Sequence, residues 1–354
     1  MRRSLARLRH RRTLPDVDLP LREADAPAPL VSIIVATFNR SNVLKIALTS
    51  IRAQTFTDWE VLVVGDCCTD DTEDVVRSLG DGRIRFVNLP QNLGDQSGPN
   101  SVGIRRARGR YLAWLNHDDL WFPDHLEVLV RELETSRADL MVAPHFRVLE
   151  LAETSTGISG ELQAPEPQRP LRMSRGDVFL VSGWLMRRTL AHRLGDWRSA
   201  RTVRYASSQQ YLYRAWSAGA RIVPGSSRSV VVMPSIAHKD AYATRRDAEH
   251  VIAARLMSSG DRRALEALKI PGSDVLISPV IELPVSNRQR NAVGAWIIRH
   301  RARFFRLTSP VVVRLGMAPW EYAAALVGFP VGGLNARLRD ERGLPAQSAQ
   351  RKSI

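Results

Sequence analysis

Cysteine is nearly absent: the 354 residues hold two, and they are neighbours, Cys67-Cys68. An adjacent pair supplies neither a disulfide framework nor the spaced ligands of a structural zinc site, and a reducing cytoplasm is the expected compartment. Aromatic residues are sparse at 6%, and the chain has no aromatic RNP run, no zinc-finger spacing and no basic region followed by heptads. The signatures of the common nucleic-acid modules are therefore missing. The most apolar stretch, Leu315 to Leu334, is broken by Glu321, two prolines and four glycines. That argues against a membrane-spanning helix and leaves an interfacial one open. The start, Met1-Arg2-Arg3-Ser4-Leu5, is rich in Arg and lacks a continuous apolar core, so no secretory signal peptide is expected.

Acidic residues are the minority, 36 against 51 Lys and Arg, for a net charge of +15. The excess sits at the two ends. Residues 1–22 hold seven Arg against two Asp, and residues 286–354 hold twelve Arg or Lys against three acids. The stretch between is nearly neutral, so the charge belongs to terminal segments that suit an anionic membrane surface, nucleic acid or plain solvation. The remaining composition, 44% hydrophobic and 25% charged, is that of a folded chain long enough to bury a full core.

After the Pro-broken lead Ala26-Pro27-Ala28-Pro29, the run Val31-Ser32-Ile33-Ile34-Val35-Ala36 reads as a buried strand. Ser41 is placed to cap a helix carrying Leu44, Ala47, Leu48 and Ile51. The alternation repeats: strand 60–64 and helix 72–79, strand 84–87 and helix 97–107, strand 111–115 and a helix opened by Pro123. Such βαβ units predict a mostly parallel, Rossmann-like sheet flanked by helices, with its ligand at the carboxyl ends of the strands. Further on, 139–143 and 230–233 read as strands, and 187–194, 209–217 and 248–256 as helices. Residues 151–175, rich in Glu, Gly, Ser, Thr and Pro, read as an insertion or linker.

Polar clusters follow three of the strands: Thr37-Phe38-Asn39, then Asp66 with Thr69-Asp70, then His117-Asp118-Asp119. In a doubly wound sheet these line one cleft. Adjacent carboxylates repel each other, and a divalent cation relieves the repulsion. Oxygen ligands suit Mg2+ or Mn2+, which bridge substrate phosphates. Taken alone, Asp118 and Asp119 read equally well as caps of the helix near Pro123.

In the order and approximate spacing of Val31 to Arg40, Gln54 to Val64, Asp66 to Thr72, Asn92-Leu93-Gly94 and Gly109 to Leu126, residues 30–146 resemble the family 2 glycosyltransferases of the GT-A fold. The resemblance implies a sugar transfer from a nucleoside diphosphate sugar to a glycan or lipid-linked acceptor, as in bacterial surface polysaccharide synthesis. It implies that Asp66 recognises the base with Thr37, Phe38 and Asn39 beside it, that Asp118 lies near the ribose, and that Asp119 is the metal ligand. His238 matches a late metal ligand of some GT-A enzymes. The implied organisation is a basic segment at 1–27, a GT-A domain at 28–240 with a nucleotide-sugar half at 28–146 and an acceptor half at 147–240, and a basic helical extension at 241–354.

The sequence departs from that family in three places. Gly65 stands where a first acid is common, with Cys67-Cys68 in place of Gly-Ser, and Gly98-Pro99-Asn100 lacks the usual Arg. The start of the acceptor helix, where the family carries a catalytic carboxylate, reads Ser207-Ser208-Gln209-Gln210. An amide cannot take a proton at neutral pH. Three readings stay open: Asp196 is the base, Gln209 or Gln210 positions the acceptor, or the chain is a catalytically inactive nucleotide-sugar-binding relative. In the tail, Arg299, Arg301, Arg303 and Arg306 interleave with Trp296, Phe304 and Phe305, which suits peripheral contact with the inner face of the membrane or a helix packed on the domain.

Overall fold

A computed structural model describes residues 27–150, 159–163, 179–203, 206–233, 241–245, 247–258 and 344. His238 and the Arg-rich tail at 296–306 lie outside the described residues, as do most of the segments 1–27 and 241–354.

The first half alternates as its periodicity predicts: β1 (Val31–Thr37), α1 (Ser41–Arg52), β2 (Trp59–Gly65), α2 (Thr72–Ser78), β3 (Ile84–Asn88), α3 (Ser97–Arg106) and β4 (Tyr111–Trp114). Then follow β5 (Leu120–Trp121), α4 (His125–Ser136), β6 (Leu140–Val142), β7 (His145–Glu150) and β8 (Ser159–Gln163). A short 3-10 turn, Val181–Gly183, leads into β9 (Trp184–Arg187), α5 (Arg188–Leu194), α6 (Ser207–Ser217), β10 (Ile222–Pro224), β11 (Val230–Val232), α7 (Ala241–Thr244) and α8 (Ala248–Ser258).

Seven strands form the main sheet in the order β10-β6-β9-β4-β1-β2-β3, parallel except for β9, which runs against both β4 and β6. A second sheet, β5-β11-β7-β8, stands beside it. The mostly parallel α/β architecture is the one expected. Alternate residues of β1 feed two cores, as a period of two requires. Val31, Ile33 and Val35 pack with Leu44, Leu48 and Ile51 of α1 and with Leu126 and Leu129 of α4, whereas Ile34 packs with Val102 of α3 and Tyr211 and Leu212 of α6.

Four expectations are corrected. Ser41 does not cap α1 with its own hydroxyl; its N–H donates to Asp70 Oδ2 at 3.2 Å, so the cap comes from the neighbouring loop. The helix expected from Pro123 begins at His125, and Arg187 closes a strand. Beyond residue 240, Ala253 and Met257 of α8 are buried in the same core as α1. Nor do the two acids cap α4, whose N-terminus has no side-chain cap.

Candidate active site

The register Val31↔Trp59 through Thr37↔Gly65 and Val31↔Tyr111 through Ile34↔Trp114 brings the ends of β1, β2 and β4 to one edge of the sheet. From β1, the chain proceeds through β2 and β3 on one side and β4 lies on the other. That reversal is where an open α/β sheet forms its ligand crevice.

Side chains stitch the first two clusters together. Asn39, in the left-handed region at φ 45°, accepts from Thr69 N (2.7 Å) and Asp70 N (3.3 Å) through Oδ1 and donates to Thr69 Oγ1 (3.2 Å) through Nδ2. Ser41 Oγ donates to Asp71 Oδ1 at 2.5 Å. Ser41 and the Arg245 guanidinium together hold the Asp71 carboxyl below the usual carboxylate range. Thr37 O accepts from Asp66 N at 2.8 Å, and Thr37 Oγ1 is buried with no hydrogen-bond partner.

Asp66, 5% exposed, uses both carboxylate oxygens on backbone: Oδ1 accepts from Leu93 N (2.7 Å) and Oδ2 from Gly94 N (2.8 Å). Asn92 Nδ2 adds a bond to Asp66 O at 2.9 Å. The Asn92-Leu93-Gly94 loop is thus folded onto Asp66, with Gly94 at φ 83°, a conformation that glycine adopts without strain.

One departure from the family pattern has a packing reason. A Cβ at Gly65 would lie 2.6 Å from Asn88 Oδ1 and 3.0 Å from Cys68 Sγ, so no acid fits there. Asn88 fills that space to clamp Cys68, accepting from its N–H (2.7 Å) and donating to its carbonyl (2.8 Å). Burial pushes the Cys68 thiol up to about 11. A Cβ at Gly98 would meet Leu93 Cδ1 at 2.1 Å, which seats the nucleotide-side loop directly on α3.

The third cluster is built around Asp119, 1% exposed. Its Oδ2 accepts from Ser182 Oγ (2.5 Å) and Asn116 Nδ2 (2.9 Å), and its Oδ1 accepts from Met233 N (3.0 Å). Burial first, and then the charge of Asp118, pushes the Asp119 carboxyl up to about 7 against the pull of these bonds. These three bonds hold Asp119, the residue expected to bind the cation, and anchor the loop that carries it. Asp118 stands beside it at the cleft with its side chain 11% exposed and Oδ2 3.9 Å from His117 Nε2. Ser182, Met233 and Asn88 were not singled out by sequence reasoning. Asn116 was within reach of it, being the polar residue at the end of β4 immediately before His117.

The cation fit is partial. Among the described residues no group of three or more His, Cys, Asp or Glu side chains is placed to hold a metal ion. A Mg2+ or Mn2+ bound through one carboxylate and the phosphates of a ligand needs no such cage.

In the acceptor half, the carboxylate of Asp196 accepts two bonds from Arg105 Nη1, at 2.8 and 2.7 Å, and its side chain is 48% exposed. Arg105 lies in the last turn of α3, while Ala200 N and Ser199 Oγ reach Asp95 just before that helix. Trp197 N donates to Ser101 Oγ at 3.0 Å, so the segment 196–200 lies along α3. Gln209 is spent on Phe179, donating to its carbonyl (2.9 Å) and accepting from its N–H (3.3 Å). That pairing draws the start of α6 to the chain that carries Ser182. Gln210 is 5% exposed, and its Oε1 has no hydrogen-bond partner.

Residues 32–192 match the family model described as glycosyl transferase family 2. The chain is 36% identical over 100 residues to an uncharacterized glycosyltransferase of Rickettsia prowazekii, covering 28% of this chain and 30% of that one. It is 35% identical over 114 residues to the succinoglycan biosynthesis protein ExoO of Rhizobium meliloti, covering 32% of each. It is 27% identical over 137 residues to the UDP-Glc:alpha-D-GlcNAc-diphosphoundecaprenol beta-1,3-glucosyltransferase WfgD of Escherichia coli, covering 39% of this chain and 52% of that one. The chain thus spans between 30% and 52% of the length of these relatives. The crevice at the reversal of the sheet and the strand-end clusters that line it fall inside the segment, residues 32–192, that matches the model of glycosyl transferase family 2.

Proposed function

We propose that the protein moves a sugar from a nucleoside diphosphate sugar to a glycan or lipid-linked acceptor in bacterial surface polysaccharide synthesis. The observation that carries this reading is the meeting of the Thr37–Asn39, Asp66 and His117–Asp119 clusters in one crevice, inside the family segment. The named substrates of WfgD, a nucleotide sugar and a diphosphoundecaprenol-linked sugar, give the acceptor class its precedent.

In this reading Asp66 is the wall against which the base rests. Its carboxylate is aimed by the bonds from Leu93 N and Gly94 N. Thr37 Oγ1 offers a buried partner to the same ligand. Asp118 would hold Mg2+ or Mn2+ against the donor diphosphate, and the bound cation supplies positive charge where the leaving phosphate gains negative charge. Asp119 fixes the loop that presents Asp118, since a displaced group loses most of its effect on a reacting centre. Gln210 Oε1 accepts from a hydroxyl of the acceptor and orients it. The basic stretches at 1–22 and 286–354 hold the protein at the anionic inner surface of the membrane. Among the described residues no helix is long and apolar enough to cross a membrane.

A second reading, a nucleotide-sugar-binding protein without turnover, is favoured by Gln209 and Gln210 standing where an acid is expected and by Asp196 lying paired with Arg105. Thermal-shift and calorimetric screening of nucleotide sugars with Mn2+, paired with an assay of nucleoside diphosphate release, separates the two. Binding with turnover supports the transferase, binding alone supports the second reading, and no binding by any member of the panel sinks both.

A further inference from the structure

The fold brings two arginine-rich stretches together. Residues 105–110 hold four Arg and no acid, and residues 187–198 hold four Arg against Asp196 alone. Arg188 N donates to Arg110 O at 3.0 Å, Arg187 lies opposite Tyr111 in the register of β4 and β9, and Arg105 pairs with Asp196 at 2.7 Å. Both stretches therefore meet where β4 begins, at the edge of the sheet opposite the crevice. The seven residues of β1 separate the two edges by about 20 Å.

Helix ends account for part of this charge. Arg105 stands in the last turn of α3 and Arg193 in that of α5, where a cation suits the helix dipole. Arg187 and Arg188 stand at the start of α5, where the dipole disfavours a cation, and the first turn holds no acid to offset them. Ion pairs account for another part: Arg105 uses Asp196, Arg108 uses the buried Glu60, and Arg110 uses Glu134. Among the described residues no acid pairs with Arg187, Arg188, Arg193 or Arg198. Arg193 and Arg198 are exposed, and Arg188 is partly so. Like charges gathered on one face repel one another, and an anionic surface relieves the repulsion.

The basic N-terminal segment is attached at the same edge. Tyr111 N donates to Leu30 O at 2.9 Å, so the chain enters β1 beside Arg110. Residues 1–22, with seven Arg against two Asp, join the fold through that entry. Clusters of this many cations suit the surface of an anionic bilayer, and the sequence carries none of the signatures of the common nucleic-acid modules.

We infer that this edge, through Arg188, Arg193 and Arg198, is the face on which the protein docks to anionic phospholipid. The inference rests on the membrane reading above and gives it a place on the folded chain. Docking there leaves the crevice open to the donor and to a glycan that extends away from the surface.

Cosedimentation of the full chain at low salt measures binding to vesicles of phosphatidylglycerol with phosphatidylcholine, and to phosphatidylcholine alone. The wild type is compared with Arg188→Ala/Arg193→Ala/Arg198→Ala and with Lys45→Ala/Arg131→Ala/Arg255→Ala. The second triple removes the same charge from exposed positions of α1, α4 and α8, the helices packed on the other face of the sheet. A third, Arg188→Lys/Arg193→Lys/Arg198→Lys, keeps the charge, and melting temperatures show that each variant is folded.

One cation at an anionic surface is worth about fivefold in binding, so the first triple is expected to lose about a hundredfold. The second should lose less than about tenfold, and the lysine triple should bind as the wild type does. Equal losses in the two alanine triples, or a lysine triple that no longer binds, overturn the inference and leave the membrane reading standing. A wild type that binds anionic vesicles no better than neutral ones overturns both, and leaves the sugar-transfer reading untouched.

Discussion

Ser182 and Asp119, 63 residues apart in sequence, share a buried 2.5 Å hydrogen bond in which the Ser182 hydroxyl donates to Oδ2. The same hydroxyl accepts from Asn116 N at 3.0 Å, and Ser182 O accepts from Trp121 Nε1 at 2.6 Å. One residue therefore ties both ends of the run 116–121 to the chain entering β9.

Asp119 and Asp118 are predicted to divide between stability and activity. Asp119→Asn removes the charge that three donors converge on and places an amide N–H among them, so unfolding free energy falls by about 2–4 kcal/mol. Ser182→Ala costs about 2 kcal/mol by orphaning Asn116 N and removing one of the two donors to Asp119 Oδ2. Asp118→Asn stays within about 1 kcal/mol of the wild type, because it also relieves a like-charge neighbour. Urea unfolding monitored by circular dichroism measures all three. Equal losses at 118 and 119 would contradict the division.

Asn39 combines φ 45° with bonds to Thr69 and Asp70. Asn39→Ala loses the bonds and strains the backbone, whereas Asn39→Gly loses only the bonds. The alanine variant is expected to be the less stable of the two by about 1 kcal/mol. Both should weaken nucleotide binding. The order of their melting temperatures checks the first point, and thermal shift with nucleotide checks the second.

For Cys68, burial raises the thiol from 9.0 to about 11, so the folded chain keeps a proton that the unfolded chain releases. Its contribution to stability is present below pH 9 and is lost as pH rises toward 11. Stability of the wild type should therefore fall more steeply across that window than that of Cys68→Ala. At pH 8, alkylation of Cys68 in a Cys67→Ser background should run about a hundredfold slower in the folded than in the unfolded chain. Mass spectrometry over a time course reads the rate.

The strand ends were legible in the sequence because short β-branched runs announce buried strands, and polar residues after them mark the ligand edge. Val31 to Asn39 and Glu60 to Asp66 needed only their own neighbours to be read. The bonds that hold Asp119 were not legible, because its partners Ser182 and Met233 are 63 and 114 residues away. The pairing of Asp196 with Arg105, 91 residues away, was hidden for the same reason. Gly65 reads as a departure from a pattern, and the reason appears only when Asn88 is seen filling the space a side chain would need.

The central claim is that Asp118 presents the cation and the donor diphosphate to the reaction, and turnover tests it most directly. Nucleoside diphosphate release is measured against Mn2+ concentration, with a nucleotide sugar and a glycan acceptor, for the wild type and Asp118→Asn. The account predicts metal-dependent release by the wild type and a loss of at least about a hundredfold in kcat for a folded Asp118→Asn protein. Release by Asp118→Asn at the wild-type rate and with the same Mn2+ dependence would contradict it.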